Sequence, residues 1–187
     1  FDQRIDADTF TYRPDAAQGP LAARPDVLSF ETAPLAEDLV VTGEVTAELW
    51  VSTDCPDTDF TVKLVDVYPP DESLPEGFAM NVTDGIFRLR YREGWEREVA
   101  AVRGEVYRVE VRAFPTSNRF ARGHRLRLDV SSSNYPQFDI NPNTGGPQGG
   151  ADAPRSASNR VWLCRDKPSR LWLDVMPASG ARHGDGR

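Results

Sequence analysis

Apolar and polar residues alternate along most of this chain, which is the pattern of a β-strand with one buried face. The clearest example is 107–113, where apolar and charged positions alternate without a break. The segment 60–67 is instead apolar on both faces, which favours a central strand covered on both sides. The strands predicted in this way are 27–31, 39–42, 45–52, 60–68, 87–92, 107–113, 125–130, 160–164 and 170–175.

Turn-forming residues separate these strands, and no window of the sequence has a sustained helical period. Many short strands with turns between them predict an all-β fold, an antiparallel sandwich of the jelly-roll or Greek-key kind. We expect this sandwich to span residues 25–177. Residues 1–24 are predicted to be irregular, and the tail 178–187 to be disordered because it lacks large apolar side chains.

The composition excludes several classes of protein. The chain has 187 residues, a formal net charge of −7 and 39% apolar residues, as expected of a soluble acidic domain that buries its own core. No stretch approaches the ~20 consecutive apolar residues of a membrane span, so no membrane partner is predicted. The negative charge argues against a nucleic-acid partner. The oligomeric state, monomer or homo-oligomer, is left open, and the cytoplasm is favoured slightly over secretion.

The sequence offers no residue set for nucleophilic hydrolysis. The Gly-x-Ser-x-Gly motif of an α/β-hydrolase nucleophile is absent. The serine run 131–133 is interpreted as a polar strand end, and His124, which follows Gly123, as a turn residue. His183 lies in the tail predicted to be disordered, where it could not be held in a working geometry. We therefore predict no catalytic residue in this chain.

The cysteines and the densest acidic loop give no clear metal site. Cys55 and Cys164, with only two histidines, supply too few ligands for a cysteine-based zinc site. The two thiols could pair or remain free, and free thiols are the simpler interpretation. The acidic loop 54–59 could bind calcium or cap turns, and caps are favoured because the spacing matches no calcium-loop consensus. No metal and no cofactor are predicted.

Asp66 is a carboxylate in an unusual position. Its alternation with Phe60, Val62 and Leu64 places it on a face that should be buried, where a charge needs a partner. The arginines of the segment 86–92 are the predicted partners. We interpret the result as an architectural ion pair.

The loop 134–146 is the most unusual segment of the chain. It is long, rich in Asn, Pro and Gly, and contains Tyr135 and Phe138. Long loops in compact domains usually have a function or pack against another body. The two aromatic side chains could plug the end of the sandwich, contact a sugar or dock on a partner domain. Periodicity does not choose among these three roles.

Several blocks of the sequence together resemble a known family. Two of them are Asp57-Thr58-Asp59-Phe60-Thr61-Val62-Lys63-Leu64-Val65-Asp66-Val67-Tyr68-Pro69 and Ser131-Ser132-Ser133-Asn134-Tyr135-Pro136. The others are 26–38, 41–43, 81–88, 115–118, 123–127, 141–145 and 168–171. In this order the blocks resemble the C-terminal, non-catalytic domain of X-Pro dipeptidyl-peptidases and related CocE/NonD-type serine hydrolases, from Arg24 to Pro177.

This resemblance implies a jelly-roll sandwich with a galactose-binding-domain-like topology. It also implies one partner, an upstream α/β-hydrolase domain of the same polypeptide that carries a Ser-His-Asp triad. By the same analogy, the positions that contact that domain or face its cleft are Asp57, Thr58, Asp59, Phe60, Asn134, Tyr135 and Phe138. The chain departs from the family pattern upstream of Arg24, in the turn 70–77 and over 150–160, which affects local loop contacts.

Two functions follow as hypotheses. In the first, the chain is the non-catalytic C-terminal domain of an X-Pro dipeptidyl-peptidase-like serine hydrolase that cleaves ester or amide bonds. The domain then packs on the catalytic domain and shapes its substrate cleft. In the alternative, it is a stand-alone carbohydrate-binding sandwich in which aromatic rings such as Trp50, Trp95 or Trp172 stack on sugars.

Overall fold

The structure, a computed structural model, describes residues 7–12, 24–147, 150 and 153–176. Within these residues nine strands form, all paired antiparallel. The strands are β1 (Ala7–Tyr12), β2 (Leu28–Glu31), β3 (Leu39–Ser52), β4 (Asp59–Tyr68), β5 (Phe78–Arg88), β6 (Tyr107–Phe120), β7 (Arg125–Ser131), β8 (Ala157–Trp162) and β9 (Arg170–Val175). The all-β fold class is confirmed, and the galactose-binding-domain-like topology stays a prediction. No helix in the described part of the chain has the length and hydropathy of a membrane span.

The nine strands are divided between two sheets that enclose the core. The five-stranded sheet has the order β1-β8-β3-β6, with β9 also paired to β3, and the four-stranded sheet has the order β2-β7-β4-β5. Between the sheets lie fully buried side chains such as Leu49, Phe60, Leu64, Leu89 and Phe120. Each sheet thus buries the apolar face that its alternating sequence supplies, as in other two-layer sandwiches.

The strand β3 shows how a glycine keeps a long strand continuous. The sequence predicts two strands, 39–42 and 45–52, but β3 runs through both with a bulge between Gly43 and Val45. Gly43 has φ of 137°, and a Cβ at this position would overlap the Asp174 carboxylate. Glycine therefore permits both the bulge conformation and the close approach of β9.

The predicted strand 87–92 is correct only at residues 87 and 88, and the sequence did not predict the first nine residues of β5, which begins at Phe78. β5 ends at Arg88, and Leu89–Tyr91 form a 3-10 turn. The Leu89 amide donates to the Thr58 carbonyl at 3.0 Å, next to the last β4–β5 pair, and the Arg92 amide then donates to the Leu89 carbonyl at 3.2 Å, which closes the turn.

The N-terminal segment predicted to be irregular contains the strand β1. Its pairing with β8 runs from Ala7 opposite Trp162 to Tyr12 opposite Ala157. The prediction of irregular structure therefore does not hold for residues 7–12. The predicted disordered tail 178–187 lies outside the described residues.

The two long sides of the sandwich differ in how closely the sheets approach each other. On one side β5 lies against β6, where the Thr83 hydroxyl donates to the Phe114 carbonyl at 2.6 Å. A Cβ on Gly85 would overlap the backbone of Arg112, so the two strands meet here without room for a side chain. On the other side β2 and β9 stand apart and leave a cleft of 790 Å³.

Candidate functional site

One end of the sandwich contains a group of charged and amide side chains that come from several loops. At this end β3, β5 and β7 finish while β4, β6 and β8 begin. The side chains that we call the carboxylate network are Asp57, Asp59, Arg88, Arg90 and Asn141. Both carboxylates are fully buried, so their charges depend on partners within the protein.

Asp57 accepts three hydrogen bonds in the centre of this network. Arg90 donates to it with its backbone amide at 2.9 Å and with Nε at 2.7 Å. Asn141 donates from Nδ2 at 2.7 Å. Because one residue supplies both a backbone and a guanidinium donor, Asp57 fixes the position of the 3-10 turn as well as the charge of Arg90.

Asp59 forms the second ion pair of the network. Arg88 donates to it from Nε and Nη2, each at 2.9 Å, and Asn141 donates at 2.8 Å. Burial raises the pKa of Asp59, and the bonds from Arg88 and Asn141 act against that rise. The bond to Asp59 in turn raises the pKa of Arg88. Asn141 therefore joins two ion pairs that would otherwise be separate.

Arg90 connects its own ion pair with Asp57 to the long loop after β7. Its Nη1 donates to the Gly146 carbonyl at 3.0 Å and to Glu98 at 3.3 Å. Burial lowers the pKa of Arg90, but the bond to Asp57 and the charges of Asp57 and Glu98 together outweigh burial, so the net direction is upward. Among the described residues, Nη2 of Arg90 has no hydrogen-bond partner although it is buried. One guanidinium thus holds three loops against each other.

The contact residues predicted from the sequence separate into buried and exposed positions. Those that are fully buried within the domain are Asp57, Thr58, Asp59 and Phe60. These four side chains therefore cannot contact a neighbouring domain directly, and they can affect a neighbouring cleft only by fixing the position of their loops. Asn134 is also buried and Phe138 is half-buried, whereas Tyr135 is 56% exposed. Tyr135 is the most exposed member of the set, and Phe138 keeps part of its surface available for contact.

Asp84, on the edge strand β5, holds the loop that carries Tyr135. Asn134 donates to its carboxylate from Nδ2 at 2.8 Å, and Gln137 donates from Nε2 at 3.0 Å. Lys63 lies 3.7 Å from the same carboxylate. The exposed Tyr135 therefore lies between two residues, Asn134 and Gln137, whose side chains are both hydrogen-bonded to Asp84.

Asn159 brings the two predicted blocks of contact residues together. Its Nδ2 donates to the Thr58 hydroxyl at 3.2 Å and to the Ser132 hydroxyl at 2.8 Å. Sequence reasoning did not select Asn159, Asn141 or Asp84. Each of these residues looks like an ordinary polar loop or strand position in the sequence, and only long-range contacts identify it as part of the site.

The predicted partners of Asp66 are wrong. Asp66 lies at the opposite end of β4, where its Oδ1 is 2.8 Å from Nδ1 of His124. The register of the sheet explains the error, because β5 places Met80 opposite Asp66 and Arg88 opposite Asp59. The arginines near the end of β5 therefore reach Asp57 and Asp59 instead.

The structure keeps the histidine of this pair away from the serine run. His124 precedes β7 and Ser131 ends it. A strand of seven residues spans roughly 20 Å, so a hydrogen bond between these side chains is excluded. Ser131 instead bonds to the Thr61 hydroxyl at 2.7 Å. The serine run is thus a polar strand end, as its sequence indicates.

The structure also describes the surroundings of the two cysteines and of the acidic loop. Cys55 and Cys164 are both free thiols, which confirms the simpler interpretation. The described residues contain no group of three or more His, Cys, Asp or Glu side chains that could hold a metal ion. Asp54, in the acidic loop, accepts from the Ser158 amide at 2.8 Å.

The exposed aromatic rings lie on different parts of the fold. Trp95 is 72% exposed and packs beside Phe87 and Tyr91, with ring centroids 6.3 and 5.5 Å away. Trp172 on β9 is 55% exposed, whereas Trp50 on β3 is half-buried.

Comparison with known proteins identifies relatives over most of the chain. Residues 3–171 match the family described as the X-Pro dipeptidyl-peptidase C-terminal non-catalytic domain. The chain is 41% identical over 163 residues to a cocaine esterase of Rhodococcus sp. strain MB1 Bresler, which covers 86% of this chain and 27% of the esterase.

Two solved structures share the fold. An aminopeptidase from the marine sediment archaeon Thaumarchaeota archaeon has a TM-score of 0.83 and 29% identity, over 91% of this chain and 33% of that protein. An α-amino acid ester hydrolase has a TM-score of 0.83 and 30% identity, over 92% of this chain and 33% of the hydrolase. The chain thus spans about a third or less of these relatives. It belongs to the family of X-Pro dipeptidyl-peptidase C-terminal non-catalytic domains, which occur in CocE/NonD-type hydrolases.

Proposed function

We propose that this chain is the C-terminal part of a serine hydrolase that cleaves ester or amide bonds. In this proposal an upstream α/β-hydrolase domain carries the Ser-His-Asp triad and forms the acyl-enzyme. The present domain packs against it, and the loops at its network end shape the substrate cleft. The named relatives, an esterase, an aminopeptidase and an ester hydrolase, support this class of bond.

The carboxylate network is the observation that carries the cleft-shaping role. Its two ion pairs are buried at the end where the long loops meet, and they fix those loops against each other. An enzyme needs walls that hold their position when substrate binds, and ordered loops supply such walls. Tyr135 and Phe138, on the loop held by Asp84, are the side chains proposed to face the cleft or its catalytic domain.

The location of the nucleophile is tested with two proteins. The full reading frame should react with a serine-directed fluorophosphonate and hydrolyse an activated ester. The 187-residue chain alone should do neither. Turnover by the chain alone that the fluorophosphonate abolishes would place the nucleophile within it and end the proposal.

The cleft-shaping role is tested with a matched pair of exposed aromatic residues. Tyr135→Ala in the full-length enzyme should raise KM or lower kcat by about fivefold, as expected when one interface anchor is removed. Phe78→Ala is the control, because Phe78 is 51% exposed but is the first residue of β5, at the other end of the sandwich. Equal kinetics for the two variants would contradict a role for Tyr135.

A carbohydrate-binding module is the second candidate function, and Trp95 favours it. Among the residues whose burial the structure describes, its ring is the most exposed of the large apolar side chains, and it lies beside two further aromatic residues. Such a platform can stack on a sugar ring. Calorimetric titration of the chain with soluble glucans, xylans and galactans is the test, with Trp95→Ala as the matched variant. The hydrolase proposal predicts no saturable heat with either protein.

A further inference from the structure

A small polar pocket lies at the network end, where β3 finishes and β8 begins. Its volume is 260 Å³, and its lining comes from the end of β3, the turn before β6 and β8. Pockets for drug-sized ligands have roughly 300–1,000 Å³, so this one has the size for a small ion or one group of a larger ligand. The lining residues whose polar groups matter here are Ser52, Thr53, Asp54, Arg103 and Arg160.

Two arginines line this pocket. Arg103 and Arg160 form no ion pair and no side-chain hydrogen bond with any other residue that the structure describes. Arg160 lies opposite Ser52 in the pairing of β3 with β8, so these two side chains are on the same face of the sheet. The Gly104 amide donates to the Thr53 carbonyl at 2.9 Å, which holds Arg103 beside the end of β3. Each guanidinium brings up to five N–H donors to the pocket.

Two buried hydroxyl groups add further donors. Ser52 Oγ accepts a hydrogen bond from Nε1 of Trp162 at 3.1 Å, and the Thr53 hydroxyl accepts from the Cys55 amide at 3.2 Å. Neither hydroxyl donates to another residue within the described part of the chain. Both residues are buried, and buried polar hydrogens normally have an acceptor. The pocket therefore has donors available for a ligand that is rich in acceptor oxygens.

Asp54 gives the same pocket an acceptor. Its Oδ1 accepts from the Ser158 amide at 2.8 Å and contacts Sγ of Cys55 at 3.5 Å, whereas its Oδ2 accepts from none of the described residues. Positive charges outnumber this carboxylate, because Lys167 lies 5.4 Å from the centre of the Trp162 ring, beside the two arginines. A well-matched ligand thus presents several oxygens to the donors and one hydrogen to Asp54.

We propose that this pocket binds a phosphate group that carries a proton, either inorganic phosphate or the end of a phosphate monoester. Arg103 and Arg160 pair with the phosphate oxygens, and the Ser52 hydroxyl donates to one of them. The P–OH group donates to Oδ2 of Asp54. The inference does not depend on the proposed hydrolase function, because it uses residues of this chain alone.

Sulfate is the anion that this arrangement should reject. It has the shape of phosphate but no proton at neutral pH. One of its oxygens would therefore face the Asp54 carboxylate with no hydrogen bond between them, which is unfavourable for both groups. The pocket should distinguish two anions of nearly equal size.

The indole N–H of Trp162 reports binding, since it donates to Ser52 in the pocket. The 187-residue chain encloses its own core and can be titrated alone with sodium phosphate at neutral pH and constant ionic strength. Two-dimensional proton–nitrogen NMR should show a saturable shift of the Trp162 indole signal, which Trp162→Phe assigns. The Trp172 signal should stay in place, because Trp172 pairs with β3 four residues further along, roughly 13 Å away. Sulfate should give a dissociation constant at least tenfold higher than phosphate.

Arg160→Gln and Arg122→Gln form a matched pair of variants. Arg160→Gln removes a charged donor and should raise the dissociation constant for phosphate at least tenfold. Arg122 is also exposed, but it lies in the turn between β6 and β7 at the other end, so Arg122→Gln should change the constant less than twofold. Both positions are exposed, and the NMR spectrum shows directly that each variant is folded.

Asp54→Asn tests the recognition of the proton. The amide keeps an oxygen for the Ser158 amide and can place an N–H group where the free carboxylate oxygen was. Sulfate should then bind within about threefold of phosphate, because its oxygen meets a donor instead of a negative charge. Asp54→Asn with the discrimination of the wild-type chain would contradict the role of Asp54.

Phenyl phosphate identifies the source of the phosphate group. Tighter binding than that of inorganic phosphate indicates a monoester whose organic part contacts the Trp162 ring, and equal or weaker binding indicates inorganic phosphate. Equal shifts with phosphate, sulfate and chloride would overturn the inference, since they report ionic strength alone. Saturable binding that is unchanged in Arg160→Gln would place the anion elsewhere and overturn it as well.

Discussion

The two ends of β4 both hold a buried carboxylate, but they satisfy it in different ways. At the network end, Asp57 and Asp59 pair with arginines whose several donors also reach other loops. At the other end, Asp66 pairs with the ring of His124 and contacts Asn118 more weakly, at 3.5 Å. An arginine fork can hold several groups at once, whereas a histidine nitrogen holds one. The arginine end is therefore the one suited to fixing long loops.

Among the substitutions that test this difference, removal of Arg90 should have the largest effect on the unfolding free energy. Arg90→Met keeps the apolar stem but leaves the Asp57 charge buried without its guanidinium. Breaking a buried pair in this way costs about 3–5 kcal/mol of unfolding free energy. Urea denaturation of the chain measures the loss.

Arg112 provides the matched control for that experiment. Its side chain is 69% exposed and pairs with Glu110 on the surface. Arg112→Met should change the unfolding free energy by no more than about 0.5 kcal/mol. An Arg90→Met protein within 1 kcal/mol of wild type, roughly the weakest loss assigned to an unpaired buried group, would show that the network is not structural.

A smaller loss is expected when the bridge between the two pairs is removed. Asn141→Leu has similar volume but leaves both carboxylates one donor short, and it leaves the Asn143 amide without the Asn141 oxygen that accepts from it at 2.9 Å. Unsatisfied buried groups cost about 1–3 kcal/mol, so we expect a loss in the upper part of that range. Thermal and urea unfolding measure it.

Asn81→Leu is the control for the bridge, since Asn81 is exposed on β5. This substitution should be nearly neutral, within about 0.5 kcal/mol. If the two leucine variants unfold at the same urea concentration, Asn141 contributes only its volume and the bridging role is refuted.

The Asp66–His124 pair at the other end of β4 should contribute less to the unfolding free energy than the network does. His124→Phe removes the bond to Asp66 while keeping a ring against Tyr68, whose centroid lies 4.2 Å from that of His124. His124→Phe leaves the buried Asp66 carboxylate with only the weak Asn118 contact, so we expect a loss of about 1–2 kcal/mol, within the range for an unsatisfied buried group. This loss should be below that of Arg90→Met because the loops of the network end are untouched. A double-mutant cycle with Asp66→Asn isolates the pairwise energy. A loss larger than that of Arg90→Met would reverse the ranking of the two ends.

Most of the strands were predictable from the sequence, whereas β1, the first nine residues of β5 and the pairing of charges were not. Alternation is a local property, so it located β6 and β9 from their own residues alone. The partner of Asp66 depends on the register between β4 and β5, which no local pattern contains. For the same reason, the family resemblance pointed to Asp57 and Asp59, but the sequence did not reveal that Arg90 and Arg88 form ion pairs with them.

The amide residues of the site illustrate a second limit. Asn141 and Asn159 act by contacting residues 82 to 101 positions away in the sequence. A buried Asn and an exposed loop Asn have the same side chain, and the difference arises only when the chain folds. The cleft beside β9 was missed for a related reason, because Leu171 and Leu173 have the same alternation as a strand whose apolar face is completely buried.

The smallest effect is expected from chemical modification of the cysteine thiols, which tests whether the loops at the network end stay closed in the two-ended comparison. Cys55 lies in the loop before β4, where burial and the nearby Asp54 raise the pKa of its thiol to about 11. At pH 8 only about one molecule in a thousand then carries the thiolate, which is the reactive form. A thiol reagent such as DTNB should therefore modify the half-buried Cys164 and leave Cys55 unmodified until the protein is unfolded. The modified chain should unfold at an unchanged urea concentration. In Arg90→Met, opening of the network end should increase the labelling of Cys55, and fast labelling of both thiols in the wild-type chain would show that this end is already open.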